Sequence, residues 1–482
     1  MNQLLLISAI PLLITLLGFF PRMARKLPKL AAVLMALQIP VVLTLIPAAL
    51  NGSVPMWRGF AIDGTAAAFL VITTLVAAAA MAQAAFLMPA ERAAEHPSSD
   101  GHLCMFYSMT GLFLLAMYTV LVSVNLGYMW IAMEATTLLS APLIYYHRGP
   151  RSLEATWKYL ILCSVGIAFA LFGTVLIFAA QHGVHDGGSL LISKIIEHPG
   201  DIDPRLMRMG FIFCLLGYGT KAGIFPLHNW LPDAHSEAPS PTSAMLSGSL
   251  LNCALVAIWR ISQVVTATGQ GHLVQQLLVP AGAITVLAAS IMLIRQHDLK
   301  RMWAYSSVEH IGLLTLAIGI NSGGVFMLHA FNHSLAKTAL FLLSGAILHQ
   351  YGTKSLSKLA GLLKASPAWG AALCIAGFAI AGSPPFGTFI SEWLLLRDTF
   401  TKGEVFAGVV VIIGLAITFI AIMGHINKIV FGVKPTLAHK DINPAWAYAP
   451  LGLMAISLVA GFAVSPPVMN ALTMLISGGL PQ

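Results

Sequence analysis

The chain has 482 residues, of which 57% are hydrophobic and only 9% are charged, with a formal net charge of +8. About a quarter of the residues are charged in soluble domains, so this composition excludes a soluble enzyme, a disordered chain and a coiled coil. In lipid, backbone polar groups are satisfied only within helices or closed barrels. Continuous apolar runs such as residues 4–20 favour helices over barrels. The sequence therefore predicts an all-α, polytopic membrane protein.

Fourteen apolar stretches are long enough to cross a bilayer, which takes about 20 helical residues. We number them as spans one to fourteen in chain order: 2–20, 29–50, 62–88, 103–123, 125–146, 155–181, 207–227, 240–264, 274–295, 301–320, 323–350, 367–397, 405–432 and 446–475. Lys and Arg are concentrated in the loops after odd-numbered spans, with 17 residues in or within a few residues of these loops against 7 for the loops after even-numbered spans. Because basic loops stay inside, we expect these loops in the cytoplasm and both termini outside. A basic total is ordinary for such a protein and does not indicate nucleic-acid binding.

No motif for chemistry on a soluble substrate is present between the spans. The sequence has no phosphate-binding loop, no dinucleotide fingerprint before a strand and no zinc-protease motif. Its five cysteines form no C-x-x-C pair, whereas an iron–sulfur cluster needs about four closely spaced thiolates. We therefore expect no redox centre, cofactor or metal in the chain itself, and a pathway for something small remains the best interpretation.

Three ionisable residues stand out among long apolar stretches inside the spans, where a charge costs several kcal/mol and suggests function. Glu134 is in the middle of span five, Lys221 is in span seven, and Glu392 follows the break at 382–385 in span twelve. Each also has a structural interpretation. Glu134 could anchor an ion pair, Lys221 could extend to the cytoplasmic interface, and Glu392 could pair with Arg397.

A row of polar residues follows one face of span eleven. His329, His333 and Lys337 are spaced at i, i+4 and i+8, which places them on one side of a helix. Imidazoles relay protons near neutral pH, and Glu309 and His310 add a carboxyl group and another imidazole in span ten. The sequence thus predicts a proton relay, although hydrogen-bonded core polar groups would give the same pattern.

Further candidates lie near the predicted cytoplasmic ends. Lys158 follows Glu154 by four residues and predicts a helix-surface ion pair, or alternatively the cation beside Glu134. The loop 226–242 carries Asp233, and it is either a cytoplasmic entrance or a solvated connection. The secondary candidates are Lys158, Asn252, Asp233 and His228.

Together these motifs resemble the antiporter-like subunits of respiratory complex I, multisubunit sodium/proton antiporters and energy-converting hydrogenases. The matching segments are GTKAGIFPLHNWLPDAHSEAPSPTSA around Lys221, AYSSVEHIG around His310, FNHSLAKTALFLLSG around His333, and the acids Glu134 and Glu392. The SSVEH and HSLAKTALF segments are most similar to the component-F type of hydrogenase-4 and formate hydrogenlyase complexes.

The resemblance implies two inverted five-helix repeats. The expected units are an N-terminal unit at 1–102, the repeats at 103–264 and 265–432, and a C-terminal helix at 433–482. Spans seven and twelve are expected to be broken, near 223–226 and 382–387, and paired interruptions are typical of inverted repeats. The expected location is a prokaryotic inner membrane, with other membrane subunits and a peripheral redox arm as partners.

The resemblance also implies a mechanism in which Glu134 and Lys221 couple proton movement through His310, His333 and Lys337 to Glu392. One departure concerns Asn252, because the family commonly has a lysine in this span and an amide cannot carry a proton. Either the Lys337 region supplies the central step, or the pathway is altered. Three alternative functions stay open: a complex I subunit, a cation/proton antiporter component and a structural membrane anchor.

Overall fold

A computed structural model describes residues 2–50, 52, 54–94, 100–181, 188–433 and 444–477. Outside these residues lie parts of the connection between predicted spans three and four (89–102), of the connection between spans six and seven (182–206), and of the predicted C-terminal unit 433–482. The described chain is mostly helical, and a helix is found at the position of every predicted span.

The N-terminal unit combines four helices with a hairpin. Its elements are α1 (Asn2–Gly18), α2 (Leu27–Leu43), α3 (Leu45–Leu50), β1 (Val54–Trp57), β2 (Phe60–Ile62) and α4 (Gly64–Ala94). The antiparallel hairpin was not predicted from the sequence, and its turn uses Gly59 at φ +83°, where a glycine is favoured. Helix α1 packs on the helix that follows α4, and α2 packs on α4.

The first predicted repeat is mainly helical in the part that the structure describes. Its helices are α5 (Asp100–Val122), α6 (Leu126–Ile144), α7 (Pro150–Ala179), α8 (Ile192–Glu197), α9 (Pro204–Ala222), α10 (Trp230–Glu237), α11 (Ser240–Met245) and α12 (Leu251–Val265). The side chains of Asn125 and Asp203 accept backbone amide protons at the starts of α6 and α9, which explains where these helices begin. A π-helical turn at Leu246–Leu250 joins α11 to α12.

The second half is arranged around one long buried helix. Its elements are α13 (Gly271–Ile294), α14 (Leu299–Gly319), α15 (Gly323–Tyr351), α16 (Leu362–Ala365), α17 (Pro367–Ile380), α18 (Gly387–Thr401), α19 (Val405–Phe431), α20 (Tyr448–Ala463) and α21 (Pro466–Ser477). Helix α15 contacts α4, α11, α14, α17, α18 and α20. Almost all its residues are buried, so its polar side chains face other helices.

Both predicted helix breaks are confirmed. Helix α9 ends at Gly223, which has a left-handed φ of +84° and donates its amide to Gly219. Helices α17 and α18 are separated by residues 381–386, where Pro384 and Pro385 have no amide proton to continue the helix. The interruptions therefore have two different local causes, a glycine cap and a proline pair.

The predicted C-terminal span at 446–475 is bent rather than continuous. Helices α20 and α21 meet at an angle of 106°. Pro466 and Pro467 follow the bend, and prolines in this position cannot donate the hydrogen bonds that would continue α20. Helix α21 packs against α15 and α4.

Six helical stretches of the described chain are long and apolar enough to cross a membrane, judged by length and composition alone. They are Leu27–Leu50, Gly64–Ala90, Asp100–Val122, Pro150–Ala179, Ser240–Ile294 and Val405–Phe431. The bent pair formed by α20 and α21 would make a seventh if it were one span.

Candidate functional site

Lys221 lies in the last turn of α9 and is completely buried. Its ammonium donates hydrogen bonds to the hydroxyl oxygens of Thr137, at 2.8 Å, and Tyr159, at 2.7 Å. The nitrogen is also 4.8 Å from the centre of the Tyr159 ring. Tyr159 in turn lies 2.6 Å from the hydroxyl of Ser140. Lys221 therefore points into the bundle, which contradicts the alternative that it extends to the cytoplasmic interface.

Glu134 lies on α6 and is half-buried. Its Oε1 accepts a hydrogen bond of 2.7 Å from Ser164, and its Oε2 has no hydrogen-bond partner among the described residues. No ion pair joins Glu134 to Lys221 in the portion of the chain that the structure describes. The two groups predicted to form a coupling pair are thus held separately, each by neutral hydroxyls.

The alternative that Lys158 is the cation beside Glu134 is wrong. Lys158 pairs with Glu154 at 2.6 Å and with Asp233 at 3.1 Å, and 46% of its side chain is exposed. It precedes Ser164, which contacts Glu134, by six residues on α7, or about 9 Å of helix. Lys158 therefore forms the predicted helix-surface ion pair with Glu154, and it also pairs with the carboxylate of Asp233.

Asp233 connects the two halves of the chain. It lies on α10 and pairs with Lys158 of α7 and with Arg301 of α14. A loop was expected at this position, whereas the structure has a helix. The alternative that the segment is a solvated connection is wrong for its central part, because most residues of α10 are buried. His235 of the same helix is fully buried, with its ring 5.3 Å from that of Phe341.

A second cluster lies where α14, α15 and α18 meet. The Nδ1 atom of His310 is 3.0 Å from Nε2 of His329, and Nδ1 of His329 is 2.9 Å from the hydroxyl oxygen of Ser391. On its other side, Nε2 of His310 is 3.2 Å from the carbonyl oxygen of Ile380. All three side chains are completely buried. Two predicted relay residues are thus in direct contact, together with a serine that was not predicted.

The other members of the predicted relay surround these two histidines. A carboxylate oxygen of Glu309 is 3.4 Å from Nε2 of His310, and the His333 ring centre is 5.2 Å from that of His310. Neither ring nitrogen of His333 has a hydrogen-bond partner among the described residues. Lys337 donates to the carbonyl of Trp303 at 2.9 Å and lies within electrostatic range of Glu309. The residues chosen from spans ten and eleven therefore form one buried group.

Glu392 lies beside the helix break, as predicted. Its side chain is buried, and its carboxylate is packed against the Cα of Gly382, so closely that a Cβ there would collide with it. The alternative pairing with Arg397 is wrong, because Arg397 binds Asp398 at 2.8 Å. Residues five apart lie on different faces of a helix, which explains why Glu392 and Arg397 do not meet.

The two remaining secondary candidates lie outside these clusters. Asn252 donates to the carbonyl of Gly248 at 3.0 Å and to the hydroxyl of Ser334 at 2.7 Å, just after the π-helical turn. Such turns are frequent at functional sites. His228 is buried between the rings of Phe225 and Tyr305 in the turn after α9. Asn252 therefore joins α12 to the helix that carries His333 and Lys337, whereas His228 packs beside the first break.

A buried ion pair was missed from the sequence. Arg260 on α12 binds Asp63 at 2.9 Å, and both side chains are at most 5% exposed. Arg260 also donates to the carbonyls of Leu121, at 2.8 Å, and Ser123 at the end of α5. A sequence signal existed, since Arg260 lies inside predicted span eight, but its partner is 197 residues away. Lys300, which is buried and donates to the Ala238 carbonyl at 2.5 Å, was missed for the same reason.

Comparisons with known proteins agree with the resemblance stated above. The family model described as "NADH:quinone oxidoreductase/Mrp antiporter, TM" matches residues 123–420. The hydrogenase-4 component F homolog of Methylacidiphilum infernorum is 39% identical over 354 residues, which cover 71% of this chain and 74% of that protein.

Two solved structures share the fold over nearly the whole chain. A chain of the archaeal membrane-bound sulfane sulfur reductase has a TM-score of 0.86 at 23% identity, and the match covers 100% of this chain and 98% of that chain. A chain of the Mrp complex from Dietzia sp. DQ12-45-1b also has a TM-score of 0.86, at 20% identity, with coverage of 98% and 97%.

Proposed function

Because this chain belongs to the NADH:quinone oxidoreductase/Mrp antiporter family and is an antiporter-like membrane subunit, we propose that it moves protons across the membrane in a hydrogenase-type redox complex. Electron transfer in partner subunits would drive the movement. The carrying observation is the buried group of ionisable side chains around His310. At bilayer depth such groups cost several kcal/mol each, so their concentration in one contact group supports a functional role.

The first half-channel would use Lys221 and Glu134. The two groups are separated in this structure and are held by hydroxyls of Tyr159, Thr137 and Ser164. At 4 Å and an effective dielectric near 20, an ion pair is worth about 4 kcal/mol, or roughly three pKa units. A conformational change that alternately joins and separates the pair would therefore load and release a proton at Lys221.

The second half-channel would run from Lys337 to Glu392. Glu309 lies within electrostatic range of Lys337 and 3.4 Å from His310, which contacts His329 directly. This spacing supports proton transfer along side chains and intervening water. In this scheme Asn252 only orients its neighbours, and the basic and imidazole groups of α15 carry the proton in the central step.

The finer architecture belongs to the same proposal. Fourteen spans would form the N-terminal unit at 1–102, the inverted repeats at 103–264 and 265–432, and the C-terminal unit at 433–482. The matching positions of the breaks near 223–226 and 382–387, each in the fourth span of its predicted repeat, support the repeats. We place the chain in a prokaryotic inner membrane with both termini outside, beside other membrane subunits and a peripheral redox arm.

The test is proton translocation by the whole complex reconstituted in lipid vesicles. We expect Glu134→Gln and Lys337→Met each to abolish translocation per electron transferred while the complex still assembles. The matched control is Glu154→Gln, which removes an equally charged group from the exposed ion pair with Lys158 and should pump normally. Normal pumping by both site variants would refute the proposed function, and a requirement for sodium in place of protons would favour a cation/proton antiporter.

A further inference from the structure

The helix break between α17 and α18 supplies a hydrogen-bond acceptor to the histidine cluster. In a continuous helix the carbonyl of Ile380 would bind the amide of residue 384, but that residue is Pro384, which has no amide proton. The amide of Ser383 binds Phe378 instead. The Ile380 carbonyl is therefore available to Nε2 of His310, at 3.2 Å.

This acceptor determines which way the hydrogen bonds run. A carbonyl only accepts, so Nε2 of His310 must carry a proton. If the ring is neutral, its Nδ1 is an acceptor, and Nε2 of His329 is the donor across their 3.0 Å contact. Nδ1 of His329 then has no proton and must accept from the hydroxyl of Ser391, at 2.9 Å. In the neutral state the bonds therefore run from Ser391 through His329 and His310 to Ile380.

Ser391 has a second acceptor at the same distance. Its hydroxyl oxygen is 2.9 Å from the carbonyl of Thr388 on its own helix. If the hydroxyl turns to Thr388, it accepts from Nδ1–H of His329, and His329 accepts from Nδ1–H of His310. His310 then has protons on both nitrogens, so it is a cation beside the carboxylate of Glu309. The two orientations of the Ser391 hydroxyl therefore correspond to states of the His329–His310 pair that differ by one proton.

We propose that the Ser391 hydroxyl is the two-position switch of this relay, turning from His329 to the Thr388 carbonyl each time a proton loads His310. The balance is simple. A proton arrives at Nδ1 of His329, the Nε2 proton of His329 moves to Nδ1 of His310, and the reverse sequence releases one proton. This inference rests on the proposed function, which supplies the proton, and it assigns Ser391 a positioning role.

Three substitutions of Ser391 distinguish the hydrogen bonding of its hydroxyl from the packing of its side chain. Ser391→Thr keeps a hydroxyl that can reach the carbonyl three residues earlier, Ser391→Cys keeps the size but offers only a weak donor, and Ser391→Ala removes the group. The matched control is Ser290→Ala, which removes another buried serine that binds its own helix and a neighbouring threonine, Thr418.

The measurement is proton translocation by the reconstituted complex in H₂O and D₂O. We expect the Ala and Cys variants to lose about tenfold in rate, as for one lost hydrogen bond in the transfer step, with a larger solvent isotope effect than in wild type. The Thr variant and the Ser290 control should behave as wild type. If Lys337→Met fails to pump as expected, two results would overturn the proposed role of Ser391: a wild-type rate in Ser391→Cys, or an equal loss of rate in the Thr and Ala variants. Normal pumping in Lys337→Met as well would instead refute the proposed function.

Discussion

Removing the guanidinium of Arg260 should destabilise the fold strongly, because it breaks a buried ion pair. Arg260 binds a carboxylate of Asp63 and two backbone carbonyls at the end of α5, and both charged side chains are almost fully buried. Arg260→Met therefore leaves a buried carboxylate and two carbonyls without their donor. Breaking a buried pair in this way costs about 3–5 kcal/mol.

Replacing Asp63, the partner of Arg260, should lower the free energy of unfolding by a smaller amount, because more of the hydrogen bonds remain. Asp63 also accepts the amide of Ala66 at the start of α4, at 2.6 Å, and asparagine is an equally good residue for this cap. Arg260 keeps its two carbonyl acceptors in Asp63→Asn. The expected cost is about 1.5–3 kcal/mol, as for a lost hydrogen bond to a charged group. The double variant should lose less than the sum, since the two residues interact directly.

The cysteines provide the assay. Four of the five are buried and react with a thiol-specific fluorescent dye only when the bundle opens: Cys104, Cys163, Cys214 and Cys253. On heating the purified protein in detergent, Arg260→Met should open at the lowest temperature and Asp63→Asn next. Arg25→Met, which removes an exposed arginine, is the control and should match wild type. If Arg260→Met opened with the control, the reasoning about a buried, uncompensated carboxylate would be refuted.

Three other changes have defined outcomes. Gly382→Ala places a methyl group against the Glu392 carboxylate at a residue with φ of +68°, so pumping in vesicles should fall while the complex still assembles; unchanged pumping would contradict this placement of Glu392. Tyr159→Phe removes one of the two hydroxyls that hold Lys221, and should slow translocation about tenfold; a wild-type rate would show that this bond is dispensable. Asp233→Asn weakens two partly exposed ion pairs. It should lower the free energy of unfolding by less than about 1 kcal/mol, so the temperature of dye labelling should change little; a decrease as large as that of Arg260→Met would contradict this.

The helices were predictable because apolar length alone determines them in a membrane protein. The breaks after Gly223 and before Pro384 were also predictable, since each follows from the chemistry of one or two residues. The bend between α20 and α21 carries an equally plain signal in Pro466 and Pro467, but a continuous apolar stretch on both sides obscured it. The strands of the hairpin at residues 54–62 have only four and three residues, too few for an alternating pattern to predict them.

The site residues were predictable one by one, whereas their partners were not. Glu134, Lys221 and Glu392 are conspicuous because each is a charge within an apolar stretch. A serine such as Ser391 is common in any helix, and its importance depends on a carbonyl at Ile380 that only the folded break brings within reach. Pairings across many residues are decided by helix packing, for which the linear sequence contains no spacing rule.

Both broken helices end where the proposed pathway must stabilise positive charge. The last carbonyls of a helix have no amide partners and carry a partial negative charge, which favours cations nearby. Lys221 belongs to the last turn of α9, and the Ile380 carbonyl in the last turn of α17 binds His310. A helix that crossed the bundle unbroken would keep its carbonyls bonded to its own amides. The break after α17 therefore provides a carbonyl acceptor for His310, whereas the end of α9 favours the Lys221 cation only through its partial negative charge, because Lys221 donates to hydroxyls of other helices.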